Sequence, residues 1–103
     1  MKVIDELSGG WFLLEEDGRL YLDARYSYSA VIDDSALVEL DPEEVAAYRA
    51  GGRDHISELA TAIHMSAPYR GDSPYFSRDL YRGDQGRQWR SAVAAAVAAH
   101  RSG

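Results

Sequence analysis

The residues of this chain best suited to chemistry are arginines and aromatic side chains that alternate between residues 69 and 90. Guanidinium groups hold phosphates while aromatic rings stack on bases, so this mixture is typical of a small-ligand or nucleic-acid-related binding module. Trp, Tyr and Arg are equally typical of protein-interface hot spots. A third interpretation is that the rings close the core beneath a loop. The candidate binding residues of this stretch are Tyr69, Arg70, Tyr75, Phe76, Arg78, Tyr81 and Arg82.

A second candidate surface is acidic and lies where predicted strands give way to a helix. Such a patch can imitate a phosphate backbone and block a basic active site, and charge complementarity makes the association fast. The alternative interpretation is a solvated face that keeps a small domain soluble. The carboxylates of this predicted patch are Asp33, Asp34, Glu39, Asp41, Glu43 and Glu44.

The remaining ionisable residues do not match a known catalytic or metal-binding motif. The chain has no cysteine, which excludes thiolate catalysis and zinc sites built on sulfur. His55 and His64 are nine positions apart on a predicted helix and therefore point to opposite sides, so they cannot share an ion. We expect His55 to pair with Glu58 instead. No phosphate-binding loop or nucleophile elbow occurs, and we expect a non-enzymatic protein without metal or cofactor.

Charge is unevenly distributed along the sequence. Residues 1–67 carry fourteen of the seventeen acids and five of the eleven bases, and the whole chain has a net charge of -6. This balance disfavours nucleic acid and anionic membranes as partners and favours a basic protein. No apolar stretch reaches the ~20 residues that a membrane span needs, so we expect a cytoplasmic location. Monomer and homodimer both remain open.

The first forty residues have the pattern of β-strands. Two apolar runs flank Asp17-Gly18, a dipeptide that favours a two-residue hairpin turn. The resulting register places Glu16 opposite Arg19 and Leu13 opposite Leu22. Further strands are predicted at residues 26–32 and 36–40, with a turn at residues 33–35.

After residue 40 the hydrophobic pattern changes to a helical period. Asp41 is a predicted N-cap with Pro42 at the first helical position. A second helix follows from about Arg53 and must end before Pro68. Residues 66–83 are predicted to form a long loop, and a last helix runs from about residue 84 to His100.

Strands followed by helices indicate the α+β class in a single domain, residues 1–103. We expect an antiparallel sheet of three to five strands in the N-terminal half, with two or three helices packed on one face. In size, acidity and element order the chain resembles the small single-domain immunity proteins that bacteria make against their own toxins. The resemblance implies a non-enzymatic inhibitor that binds a toxin domain through the acidic patch or the aromatic loop.

Overall fold

A computed structural model describes residues 1–103 and contains four strands followed by three helices. The strands form one antiparallel sheet in the order β1-β2-β3-β4. The predicted α+β class, the antiparallel sheet and the numbers of strands and helices are therefore confirmed. The elements are β1 (Lys2–Leu7), β2 (Trp11–Glu16), β3 (Arg19–Ser27), β4 (Asp33–Glu39), α1 (Pro42–Gly51), α2 (Arg53–Met65) and α3 (Gly86–Ser102), with one 3₁₀ turn at Leu80–Arg82.

The hairpin of β2 and β3 has the predicted register. Glu16 lies opposite Arg19, and Leu13 lies opposite Leu22. Asp17 and Gly18 have φ angles of 52° and 79°. A type I′ hairpin turn needs positive φ at both central residues, which Gly adopts freely and Asp tolerates better than most residues. The turn places the exposed Asp17 at the end of the sheet.

The connection between β3 and β4 differs from the prediction. The chain reverses at residues 28–32, and β4 begins at Asp33, inside the segment predicted as a turn. Ser29 shapes this reversal, because its Oγ accepts bonds from the backbone N–H groups two and three residues later, at 3.2 and 3.1 Å. Asp33 remains extended and accepts two bonds from Arg25 of β3, at 3.2 and 3.0 Å. Cross-strand pairing thus outweighs the local turn preference of adjacent aspartates.

The first helix begins as its sequence predicts. The Asp41 carboxylate accepts a bond from the backbone N–H of Glu44 at 2.8 Å, and the Glu44 carboxylate accepts one from the backbone N–H of Asp41 at 2.9 Å. This reciprocal capping box satisfies two donors that a helix start leaves free, with Pro42 at the first helical position. The second helix ends at Met65, before Pro68, as expected.

The helices occupy both faces of the sheet rather than the single expected face. Leu13 and Leu22 lie in a core that α1 and α2 cover, whereas Leu14 and Tyr21 lie in a second core that α3 covers. The reason is that β2 and β3 carry large apolar side chains on both sides, so each side must be buried. The α3 residues buried in the second core include Val93 and Ala96.

Residues 66–85 connect α2 to α3, and we call them the connecting segment. It folds as successive tight turns, with bonds such as that from the N–H of Ser73 to the carbonyl of Arg70, at 3.0 Å. Two buried polar side chains anchor it. The Ser73 hydroxyl contacts that of Ser66 at 2.7 Å, which in turn donates to the carbonyl of Ile63 in α2. Asp79 accepts a bond from the backbone N–H of Leu37 in β4 at 3.0 Å. The segment is therefore a fixed part of the fold.

Candidate functional site

The six carboxylates of the predicted acidic patch lie at the two ends of β4. Asp33 and Asp34 are at its beginning, and Glu39 is at its end. Six residues of extended strand correspond to about 20 Å. The structure therefore separates the first two acids from the other four, and only the latter group can act as one local surface.

Three of the six acids form close ion pairs with arginine, at 3.3 Å or less. Asp33 binds Arg25 at 3.0 Å, and Asp34 lies 3.3 Å from Arg90 of α3. Glu44 accepts two bonds from Arg78, at 2.6 and 3.1 Å. The Glu44 and Arg78 side chains are 20% and 32% exposed, so this bidentate pair is partly withdrawn from solvent and serves to hold the connecting segment against α1.

The end of the sheet near the β2–β3 turn gathers other acids. Glu16 and Asp17 come from that turn, and Glu39 lies beside it because it pairs with Tyr21 near the start of β3. The start of α1 adds Asp41 and Glu43, both exposed. We call this surface the acidic end, and its residues are Glu16, Asp17, Glu39, Asp41 and Glu43.

Few cations compensate the acidic end. Arg19 lies 3.9 Å from Glu39, a loose contact between exposed side chains, and the terminal ammonium of Met1 lies 3.3 Å from Glu16. Asp17 and Glu43 have no cation within 4 Å. The surface is therefore a place where negative charge exceeds positive charge.

Two shallow grooves border the ridge formed by Arg19 and Glu39. The first, of about 450 Å³, also has Glu16, Tyr21 and Trp89 in its walls. The second, of about 440 Å³, runs along α1 and has Pro42 and Arg49 in its walls. Burial, and then the nearby Glu39 carboxylate, raise the pKa of Tyr21. Its hydroxyl therefore stays protonated and can donate a hydrogen bond at neutral pH.

The aromatic rings of the connecting segment face inward. Tyr69 stacks on the buried Tyr26, with ring centroids 5.9 Å apart, and Tyr75 packs against the same core. In the second core, Trp89 of α3 lies 5.1 Å from the ring of Tyr21, and Tyr81 packs nearby. These rings therefore act as lids on the two cores rather than as an open stacking platform.

Arg78 and Arg82 are held by rings and carboxylates within the protein. Arg78 lies over Tyr75 at 5.7 Å, and Arg82 lies over Phe76 at 4.9 Å. Arg82 is also 3.3 Å from the Asp79 carboxylate. Arg70 is 62% exposed and has only an exposed aspartate two residues away as its partner. Among these three arginines, Arg70 is the one most available to a partner.

One polar group that the sequence did not single out is the buried Asp23 of β3. It is 9% exposed, and its carboxylate accepts a bond from the hydroxyl of Tyr81. Burial raises the pKa of Asp23, and bonds from Tyr81 and Ser35 and the charge of Arg90 oppose that rise. In the alternating pattern of the hairpin, Asp23 lies on the same face as Phe12 and Leu14. That position among apolar residues could have indicated from the sequence that Asp23 is buried.

We expect an Asp23→Asn variant to gain stability relative to the natural protein as the pH rises. Because the pKa of Asp23 is raised above its ordinary value of 3.8, the folded protein binds more protons than the unfolded chain above about that pH. The stability that this carboxyl contributes is therefore present at low pH and lost as the pH rises through the folded pKa. Each unit by which the pKa of Asp23 is raised adds about 1.4 kcal/mol to the difference in unfolding free energy between the variant and the natural protein at high pH. Urea unfolding from pH 3.5 to pH 8 measures it.

The Tyr81→Phe variant provides the internal control. Without the tyrosine hydroxyl the buried carboxylate loses a donor, so its pKa should rise further and the total loss of stability with rising pH should be larger. If the difference between Asp23→Asn and the natural protein stayed constant with pH, the buried ionised carboxylate would not be a cost to the fold.

The histidines are placed separately. His55 lies 3.5 Å from Glu58, which confirms the predicted pair, and His100 lies 3.0 Å from Glu6 of β1. His64 stacks on Tyr28 with ring centroids 4.8 Å apart. No three histidine or acidic side chains come together in a group that could hold a metal ion. The helices are also too short or too polar for any of them to cross a membrane.

Comparison with protein-family models, with curated proteins and with solved structures gives no match for this chain.

Proposed function

We propose that this protein is a non-enzymatic binding domain that contacts a basic protein partner through the acidic end. The observation that carries the proposal is the distribution of ion pairs. Arg78, Arg82 and Arg90 are bound to internal carboxylates, so they do not neutralise Asp17, Glu39 or Glu43. Negative charge left uncompensated on one end of a small domain attracts a cationic surface and raises the rate of association.

The specific form of the proposal is an immunity-type inhibitor that covers the basic active site of a toxin domain. The acidic end supports it because its carboxylates border two grooves, of which the one along α1 has a mainly apolar wall and the one beside Trp89 a mainly polar wall with two aromatic rings. A combination of apolar contact and charged rim is the usual composition of a protein interface. The aromatic rings of the connecting segment are less suited to this role, since they already pack against the two cores.

The test is capture of the partner from the native organism, followed by measurement of its affinity for a Glu39→Lys/Glu43→Lys double variant. Both residues belong to the acidic end, and neither makes a close ion pair. We expect the reversal to weaken binding by about tenfold or more and to reduce its dependence on salt, because attraction becomes repulsion. Isothermal titration calorimetry at two salt concentrations gives both quantities.

A matched variant separates a local effect from a change in net charge. Asp72→Lys/Asp84→Lys alters the charge by the same amount at exposed positions of the connecting segment. We expect it to change the affinity by less than about twofold at physiological salt, where screening limits distant effects. Equal losses in the two double variants, or none in the first, would contradict the acidic end as the binding surface. Glu44 is avoided because its loss would free Arg78 and disturb the fold.

A further inference from the structure

A separate cleft of about 380 Å³ opens between α2 and the sheet, away from the acidic end. Its volume lies within the range of small-molecule sites. Trp11, which is 3% exposed, contributes its floor. Most of the exposed wall is apolar, and the other lining residues come from the end of β1, the β1–β2 turn, the end of β3 and α2.

Polar groups enter the cleft as a stripe along α2. Ser57, Thr61 and His64 are spaced by four and three positions, so they lie on one side of the helix. The Ser57 Oγ accepts a bond from the indole N–H of Trp11 at 3.3 Å, which leaves the hydroxyl proton of Ser57 free to donate. The Thr61 hydroxyl supplies a second donor. The wall therefore offers donors beside an apolar floor.

The cleft has no acidic side chain among its ten lining residues, unlike much of the protein surface, although the chain carries seventeen acids. Arg25 lines the cleft, and only its Nε and Nη2 atoms bind Asp33, so the donors of Nη1 are unused. A ligand with negatively charged acceptor oxygens fits this wall, because the wall offers hydrogen-bond donors and an arginine and has no carboxylate to repel it.

We propose that this cleft binds a small carboxylic acid with an apolar body. The apolar part lies over Trp11 between the β1–β2 turn and α2. The carboxylate accepts hydrogen bonds from Arg25 and from the hydroxyl stripe. This site is independent of the proposed partner surface, since it shares no residue with the acidic end.

The experiment is an NMR titration of the whole protein with benzoate, in which the indole N–H of Trp11 is the main reporter. We expect a saturable shift of that signal and of the Ser57 and Thr61 amides. Benzamide has the same shape without the charge, and we expect it to bind about tenfold more weakly, because bonds to a charged acceptor are the stronger ones. Equal affinities for benzoate and benzamide would overturn the assignment of a carboxylate ligand.

Two pairs of variants test the location. Arg25→Gln should weaken benzoate about tenfold, whereas Arg49→Gln, in the groove beside α1, should not change it. Thr61→Leu should fill the cleft and abolish the saturable shift, whereas Ala46→Leu fills that other groove and should leave it intact. Thr61 is exposed on a helix, so its replacement spares the core. Unchanged binding in Thr61→Leu, or binding of a peptide with a free terminal carboxylate but not of benzoate, would contradict the proposal.

Discussion

Replacing Asp79 with alanine is expected to lower the free energy of unfolding by about 3 kcal/mol, because buried backbone donors lose their acceptor. Asp79 is 5% exposed, and one of its oxygens accepts bonds from the backbone N–H groups of Leu37 and Tyr81, each at 3.0 Å. Leu37 is fully buried in β4, so water cannot easily replace the lost bond. The same carboxylate also fixes Arg82 at 3.3 Å.

The Asp79→Asn variant distinguishes hydrogen bonding from charge. Its amide oxygen can still accept both backbone bonds, so we expect it to lie within about 1 kcal/mol of the natural protein. Urea unfolding of the two variants gives the comparison, and hydrogen exchange at the Leu37 amide reports the local bond. Equal losses in Asp79→Ala and Asp79→Asn would show that the charge of Asp79, and not its role as an acceptor, stabilises this contact.

This contact also explains how the outer edge of β4 is protected. An edge strand presents unpaired backbone groups that favour aggregation, and proteins cover such edges with loops. Here Asp79 forms an isolated antiparallel bridge with Val38 and satisfies the neighbouring N–H of Leu37. We infer that the connecting segment serves the sheet as an edge cover as well as a lid on the cores.

The second large effect is expected from Gly86→Ala at the start of α3. A Cβ atom at this buried position would overlap the backbone carbonyl group of Tyr81, which cannot move without disturbing the 3₁₀ turn. Overpacking of this kind costs about 1–3 kcal/mol, and we expect the upper part of that range because backbone must shift. The helix propensity that alanine adds, about 1 kcal/mol at most, is smaller than this cost.

Gly71→Ala is the matched control, since it lies in the same connecting segment. Nothing lies within 4 Å of a Cβ built at Gly71, and its φ angle is not positive. We expect its unfolding free energy to be unchanged or higher by up to about 1 kcal/mol, through a less flexible unfolded chain. Thermal and urea unfolding of both variants measure the contrast. A Gly86→Ala protein as stable as Gly71→Ala would mean that α3 can shift away from Tyr81 at little cost.

Several features of the fold could be predicted because they depend on neighbours in sequence. The turn at Asp17-Gly18 fixes which residues of β2 and β3 face each other, and the Asp41 cap fixes where α1 begins. The prediction of a turn at residues 33–35 was wrong because the conformation there depends on a residue outside the segment. Arg25, eight residues earlier, holds Asp33 in the strand through a contact that no local pattern reveals.

The candidate site was only partly predictable. Glu39, Asp41 and Glu43 were among the acids expected to form a patch, and they do lie at one end of the sheet. Glu16 and Asp17 were missed, because their place beside Glu39 depends on the pairing of β3 with β4. The binding role of either candidate surface stays a prediction.

Turn chemistry, strand alternation and capping act over a few residues, so the α+β class, the hairpin register and the start of the first helix could be predicted from neighbouring residues. The coverage of both faces of the sheet by helices could not, because it depends on where α3 finds exposed apolar surface in the folded chain. The folded arrangement also determines which carboxylates the arginines bind. Arg78 and Arg90 pair with Glu44 and Asp34 across gaps of 34 and 56 positions, and these long-range pairs leave the acidic end as the uncompensated surface.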